Sequence, residues 1–382
     1  MEKDRKQTKW FIKGKVDIAF LVIVLVLLSI GLIMLFSASY PNAYYYKHNS
    51  LHFISRQFLF AVAGICGMLF ISKVNYKILM PLAIPIYGFT LLLLVIVLFM
   101  KPISGAKRWI VIANAITFQP SEVAKFAVVI LFSLLACRYG EKMRTLKYGI
   151  VPFAVFLAPI VGLMLLEPHL SGTVLILLLG AEMMFLGGTN EKWFMLASAI
   201  VVAVAVLFVI KPDLLEVIAH YADDRIKIWL DPNSDPLEGG FQTLQSLYTI
   251  GSGGLMGMGI AGSRQKYLFL PEPQNDFIFP VVCEELGFVG AVLVILLFVM
   301  LVWRGFVIAS KCPNKFGSLI AAGFVSQVGI QTILNIAVVT NTIPNTGISL
   351  PFFSYGGTSL LMLLCQMGVV LSVSRTSAID KS

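Results

Sequence analysis

Residues 271–303, PEPQNDFIFPVVCEELGFVGAVLVILLFVMLVW, run from a polar, proline-bounded loop straight into an apolar stretch. A helical membrane span needs about 20 mostly apolar residues, and this stretch predicts one over 277–303. Asp276 stands at its threshold. An ionisable group at the rim of a span is expensive to draw into hydrocarbon, so it lines a cavity or serves chemistry. Asp276 is therefore the first candidate functional residue.

The same pattern recurs along the chain. Hydrophobic residues make up 58% of the 382 and charged residues 13%, with a mean hydropathy of +0.87. That balance excludes an ordinary soluble domain. We read ten spans, at 16–39, 53–72, 78–100, 120–138, 149–166, 171–188, 193–211, 277–303, 317–340 and 358–374. The fold class is thus an all-α, polytopic integral membrane protein forming a single domain, 1–382. The apolar run at 18–36 is longer than a cleavable signal core, so the first span is retained.

Ten spans with the N-terminus inside put the majority of the 29 lysines and arginines at cytoplasmic ends, which predicts N-in, C-in. The net charge of +9 then reads as orientation and contact with anionic lipids; dispersed over short loops, it does not make a nucleic-acid surface. The five cysteines, Cys66, Cys137, Cys283, Cys312 and Cys365, lack paired spacing, and the four histidines are scattered. Neither a disulfide framework nor a zinc site is indicated.

Three connections are long, 101–119, 212–276 and 341–357, and all fall on the extracytoplasmic side. Long ordered loops carry function more often than scaffold does. The largest, 212–276, opens with the mixed-charge stretch 221–228, which predicts an interfacial amphipathic segment. Turn signals follow at Asp231-Pro232 and Asp235-Pro236, apolar periodicity returns over 241–250, and 251–262 is glycine-rich. Gly257, Gly259 and Gly262 formally match a dinucleotide fingerprint, but no preceding strand or βαβ unit accompanies them. Tight turns and close backbone approach explain these glycines better.

Several polar residues interrupt the apolar runs. Lys107, Arg108 and Trp109 lie on a loop before a helix opening at Gln119-Pro120-Ser121-Glu122. Glu122 could simply serve a helix start, yet Lys125, three residues on, shares its face and can pair with it inside the membrane. Glu167-Pro168-His169 separates two spans; it reads either as a turn or as an acid and an imidazole facing a cavity. Gln327, Gln331 and Asn335 line one helix face, where interhelical hydrogen bonding competes with substrate contact. Glu284 and Glu285 lie inside the span that Asp276 begins, so at least one should find a partner. Asp276 itself could be an N-cap, although that leaves the basic approach Arg264-Gln265-Lys266 unexplained.

Four segments, GAKRWI at 105–110, FQPSEVAK at 118–125, the long run 239–288 and GISLPFFSYGGTSL at 347–360, resemble the SEDS family of shape, elongation, division and sporulation proteins. Within it, SRQKYLFLPEPQNDFIF resembles the division and sporulation branch, FtsW and SpoVE, more than RodA. The resemblance implies a peptidoglycan glycosyltransferase that polymerises lipid II at the outer face of the bacterial cytoplasmic membrane. It implies partners too: the growing glycan strand, a class B penicillin-binding protein, membrane lipids, and divisome or elongation proteins. The family's essential loop aspartate falls on Asp276, its loop tryptophan on Trp109, and its cavity acid and lysine on Glu122 and Lys125. Its motifs add Gln245, Ser246 and Ser354 as substrate-binding candidates beside Lys107, Arg108, Glu167, His169, Arg264 and Lys266. One departure stands out: where the family usually has Pro-Asp-Leu-Gly-Thr, this chain has His169 at the aspartate's place, with Glu167 as a substitute acid.

A polyprenyl pyrophosphate leaves without an acid to protonate it, provided its charge is neutralised. One base plus cationic side chains or a divalent metal, Mg or Mn, then suffices. Two other readings compete: a flippase for lipid-linked precursors, which would need alternate access, and a non-enzymatic scaffold for the penicillin-binding protein.

Overall fold

The computed structural model describes residues 10–102, 107–112, 116–167, 169–196, 199, 228–237 and 239–377. Helices account for nearly all of its regular structure. The chain enters α1 (Ile18–Lys47), α2 (His52–Ile71) and α3 (Leu79–Leu98), then a small hairpin of β1 (Ile110–Ile112) and β2 (Ile116–Phe118). It continues through α4 (Pro120–Tyr139), α5 (Val151–Leu166), α6 (Leu170–Gly187), α7 (Phe241–Ser252), α8 (Ile278–Ser310), α9 (Lys315–Val339) and α10 (Gly357–Ser374).

Nine helical segments among the described residues are long and apolar enough to cross a membrane. They match nine of the ten expected spans; the tenth, 193–211, lies almost wholly outside the described residues, as does the amphipathic segment 221–228 apart from Ile228. Helices α4, α9 and α10 are buried on most of their surface and form the centre, whereas α2, α3 and α5 bury only a strip. Large apolar side chains such as Phe58, Leu59, Phe70, Leu92 and Val155 point outward. In water that surface would be a liability. In a bilayer it is the solvent-facing side.

Two helices and one loop differ from expectation; α8, expected over 277–303, runs on to Ser310. α1 was expected to end near residue 39 but runs through Pro41 to Lys47. At 1.5 Å per residue its 30 residues span about 45 Å, more than the hydrocarbon core of about 30 Å. Its last turns therefore rise above the membrane, where apolar composition is no longer needed, and Tyr44, Tyr45 and Tyr46 are exposed there. The 101–119 loop contains the antiparallel hairpin, in register Ile110↔Phe118. Three-residue strands carry too little alternation to be read from sequence.

The start of α1 and the end of α10 meet on the face opposite the long loops. Arg304 Nη2 pairs with Asp17 Oδ2 at 2.7 Å, the Asp17 N–H donates to Ser374 Oγ at 3.1 Å, and Arg375 Nε donates to the Ser72 carbonyl at 2.7 Å.

The glycine-rich stretch has a structural task. α8 is two helices joined at Gly287, whose φ of 68° and ψ of −173° break the ladder. The freed backbone groups pair with the glycine loop: Met258 N–H donates to Glu284 O at 2.9 Å, Gly259 N–H to Glu285 O at 3.0 Å, and Phe288 N–H to Gly254 O at 2.9 Å. Broken helices persist at membrane depth only where such partners exist. A Cβ on Gly257 would collide with the Glu285 carbonyl, and one on Gly287 with the Gly257 nitrogen. Close backbone approach is thus what these glycines provide.

Candidate active site

The loops and helix ends on the face that carries the long connections surround a cavity of about 610 Å³. Asp276 forms part of its wall. Three consecutive carbonyls leading to it are gripped from elsewhere: Gln274 O accepts from Tyr355 N–H at 2.8 Å, Asn275 O from Ser354 Oγ at 2.7 Å, and Asp276 O from Asn335 Nδ2 at 2.9 Å. Asn335 Nδ2 also donates to Ile348 O at 2.6 Å, tying α9 to the 341–357 loop. The backbone is fixed while the carboxylate faces the cavity. It does not cap α8, because Phe277 holds the N-cap position and no side chain bonds there. Gly347, with φ of +66°, lets the loop pass against it; a Cβ there would lie 3.0 Å from Asp276 Oδ2.

The electrostatics of Asp276 follow from this placement. Burial raises its pKa to about 6, the neighbouring Glu272 carboxylate adds to the rise, and Arg108 opposes it. Glu272 is itself held by Gln274 Nε2 at 3.0 Å and Asn275 Nδ2 at 2.8 Å.

Deeper in the same cavity α4 presents Glu122 and Lys125, paired at 2.8 Å. Pro120 and Glu122 occupy the first turn as the sequence indicates. Lys125 Nζ also donates to Gln331 Oε1 at 3.1 Å, and Gln331 Nε2 donates to Ser349 O at 2.9 Å. Gln327, on the same face of α9, bonds Gln366 Oε1 at 3.2 Å, so the polar stripe serves the bundle and the cavity together.

His169 lines the cavity too, with Nε2 2.9 Å from Gln119 Nε2 and Nδ1 accepting from Gly172 N–H at 3.4 Å. Burial, then Arg108 and Lys125, push its pKa down to about 3, so it is neutral at physiological pH. Glu167 is 1% exposed; burial raises its pKa to about 8 against the pull of Arg108, so it keeps its proton near neutrality. Glu167 is not a cavity-wall residue and does not replace the anion that the family pattern places at 169.

Arg108 and Trp109 stand at the foot of the hairpin and line the cavity. The other basic candidates do not. Lys107 Nζ turns away to the Leu98 carbonyl at 3.0 Å. Arg264 is exposed, and only its backbone N–H contacts Glu284, at 3.1 Å. Lys266 is buried outside the cavity, its Nζ 2.8 Å from Glu285 Oε1 and 2.9 Å from Ser37 Oγ. A positive charge near a site reads the same in sequence whether it faces ligand or neutralises a buried acid. Here Glu285 claims Lys266, and Glu284 bonds Ser263 Oγ.

Two further candidates are structural. Ser246 Oγ donates to the Val339 carbonyl at 2.7 Å and fastens α7 to α9, while Gln245 lies off the cavity with its carbonyl bonded by Thr249. Ser354 does line the cavity, but its hydroxyl is committed to Leu350 N–H at 2.7 Å and to the Asn275 carbonyl.

The sequence reading missed His52 and Arg56 of α2, which line the cavity. Arg56, a charge in an otherwise apolar helix, carried the signal that identified Lys125. Among the described residues no group of three or more His, Cys, Asp and Glu side chains is arranged to hold a metal ion.

A bundle of membrane-length helices with a cavity of acid–base and cationic groups beneath its long loops defines a polytopic membrane protein with a polar site at one face. The chain belongs to the FtsW, RodA and SpoVE family of cell cycle proteins, whose model matches residues 18–379. Stage V sporulation protein E of Bacillus subtilis (strain 168) is 40% identical, covering 96% of this chain and 98% of that protein. A probable peptidoglycan glycosyltransferase FtsW from Trichlorobacter lovleyi is 35% identical over 96% of this chain and 95% of its own length. Among solved structures, a chain of a peptidoglycan synthase complex that coordinates polymerization and crosslinking matches with a TM-score of 0.77 at 30% identity, over 96% of this chain and 99% of that one. The rod shape determining protein RodA of Thermus thermophilus matches with a TM-score of 0.68 at 28% identity, over 96% and 98% respectively.

Proposed function

We propose that this chain is a peptidoglycan glycosyltransferase of cell division or sporulation, joining lipid II units into β-1,4 glycan strands and releasing undecaprenyl diphosphate. The observation that carries the reading is Asp276: a carboxylate on a rigid backbone, free of any capping duty, facing a cavity that also holds Arg108. With a pKa of about 6 it is ionised at neutral pH and more basic than an ordinary aspartate, which suits a general base.

Asp276 takes the proton from the 4-hydroxyl of the acceptor sugar as that oxygen attacks the donor's anomeric carbon. The new C–O bond forms with inversion as the bond to the diphosphate breaks. Arg108 and Arg56 meet the leaving group's charge. Lys125, already bound to Glu122 and Gln331, contributes through that fixed pair. A divalent cation, Mg or Mn, would enter with the diphosphate and neutralise its charge beside these side chains. Trp109 offers a face for sugar or prenyl packing.

A class B penicillin-binding protein supplies crosslinking, in keeping with the synthase complex to which this chain is similar. The site of action is the septal membrane. The test is polymerisation of purified lipid II with the cognate penicillin-binding protein. Glycan strands from wild type and none from Asp276→Asn are expected. Equal strands from both would remove Asp276 from the chemistry, and strands from neither, with lipid II crossing a liposome bilayer, would favour the flippase.

A further inference from the structure

A second cavity of about 350 Å³ adjoins the first, and the reaction as proposed gives it no occupant. Arg108, Ser171 and Gly347 line both, so the two meet at that waist. Among the described residues the lining is polar and apolar side chains with Arg108 as its one charge. Its polar wall comes from the start of α7 and from the loop after α9.

That wall is stiff. Trp229 Nε1 donates to Asn341 O at 3.0 Å, and Asn341 Nδ2 returns a bond to Trp229 O at 3.2 Å. Asn345 Nδ2 donates to Gln242 Oε1 at 3.0 Å while its Oδ1 accepts from Gly347 N–H at 3.2 Å. Two hydroxyls in the lining are left over: Ser171 Oγ and Thr346 Oγ1 are buried with no hydrogen-bond partner among the described residues, and Ser171 is 3% exposed. Buried polar groups are normally satisfied, and leaving one unpaired costs about 1–3 kcal/mol. A preformed pocket with unspent hydroxyls and fixed amides suits an amide-rich group attached to whatever anion lies at Arg108.

We propose that this side cavity binds the peptide branch of the lipid-linked sugar whose diphosphate faces Arg108. The inference rests on the glycosyltransferase reading and extends it, making the cavity a determinant of which precursor is accepted. The sugar ring and reacting atoms stay in the main cavity, and the peptide amides pair with the side cavity's wall.

The test uses the full chain in nanodiscs, in the Asp276→Asn background so that no turnover consumes the probe. Two probes are compared: lipid II with its complete peptide, and the same lipid-linked disaccharide after the peptide is removed by an amidase. The parent should bind the peptide-bearing probe more tightly. Thr346→Val, which keeps the side chain's shape, and Gln242→Leu should each weaken that probe by about three- to tenfold, the range for one or two hydrogen bonds, and leave the peptide-free probe unchanged. Unaltered binding in both variants, or equal weakening of both probes, would overturn the inference. A parent that holds the two probes equally would refute the peptide assignment alone, whereas a parent that binds neither would refute the lipid II reading and this inference with it.

Discussion

Asp276→Asn should abolish polymerisation and at the same time make the fold more stable. The carboxylate's pKa lies at about 6 in the folded chain against an ordinary 3.8, so the fold keeps its proton at a pH where the unfolded chain has released it. Stability attributable to this group is therefore lost as pH rises from about 4 to about 6, and the full penalty stands above that. The difference is worth about 3 kcal/mol near pH 8 and about half of that near pH 5. Asparagine removes the charge and keeps the shape. Thermal scans of purified wild type and variant in the same detergent, at one scan rate because such unfolding is commonly irreversible, should show the variant melting a few degrees higher near pH 8. The gap should narrow near pH 5. A variant that melts at or below the wild-type temperature at both pH values would refute the claim that Asp276 is held ionised at a cost to the fold.

The rising limb of the pH–rate profile should have its midpoint near 6. Glu272→Gln should move that midpoint to lower pH and Arg108→Gln to higher pH, read from initial polymerisation rates across the range. Lys266→Met strands the buried Glu285 carboxylate and should destabilise the chain by about 3–5 kcal/mol; Lys266→Met with Glu285→Leu should recover most of the loss in thermal scans. Gly287→Ala forces a side chain into a backbone with φ of 68° and onto the Gly257 nitrogen. A cost of about 1–3 kcal/mol, a lowered melting temperature and weaker polymerisation are expected.

What the sequence disclosed depended on the length of the signal. Membrane spans declare themselves over about 20 residues, and each expected span within the described residues is present. The extension of α1 beyond residue 39 was hidden because a helix leaving the bilayer sheds its apolar signature while continuing its geometry. The hairpin at 110–118 was hidden because three residues hold too little period. At the site, Arg108, Trp109, Glu122, Lys125, His169 and Asp276 all line one cavity, and charge placement together with family resemblance had marked each. Lys266 was marked for the same reason and lies elsewhere. Its pairing with Glu285 depends on a loop path set by glycines in positive-φ turns, which no local pattern reveals.

Asp276 also differs from the cavity's Glu122–Lys125 pair in what secures it. Glu122 and Lys125 hold one another through their charged atoms, so removing either disturbs the other. The position of Asp276 is secured through main-chain carbonyls 274–276, each bonded by a different residue of the bundle. Its carboxylate contributes no cap to α8. A group whose backbone is fixed from several sides while its side chain bears an unfavourable charge is maintained at the expense of stability. Such placement is what the exchange of stability for activity predicts at a reacting centre, and it is why loss of polymer on substitution at 276 reads as lost chemistry rather than lost fold.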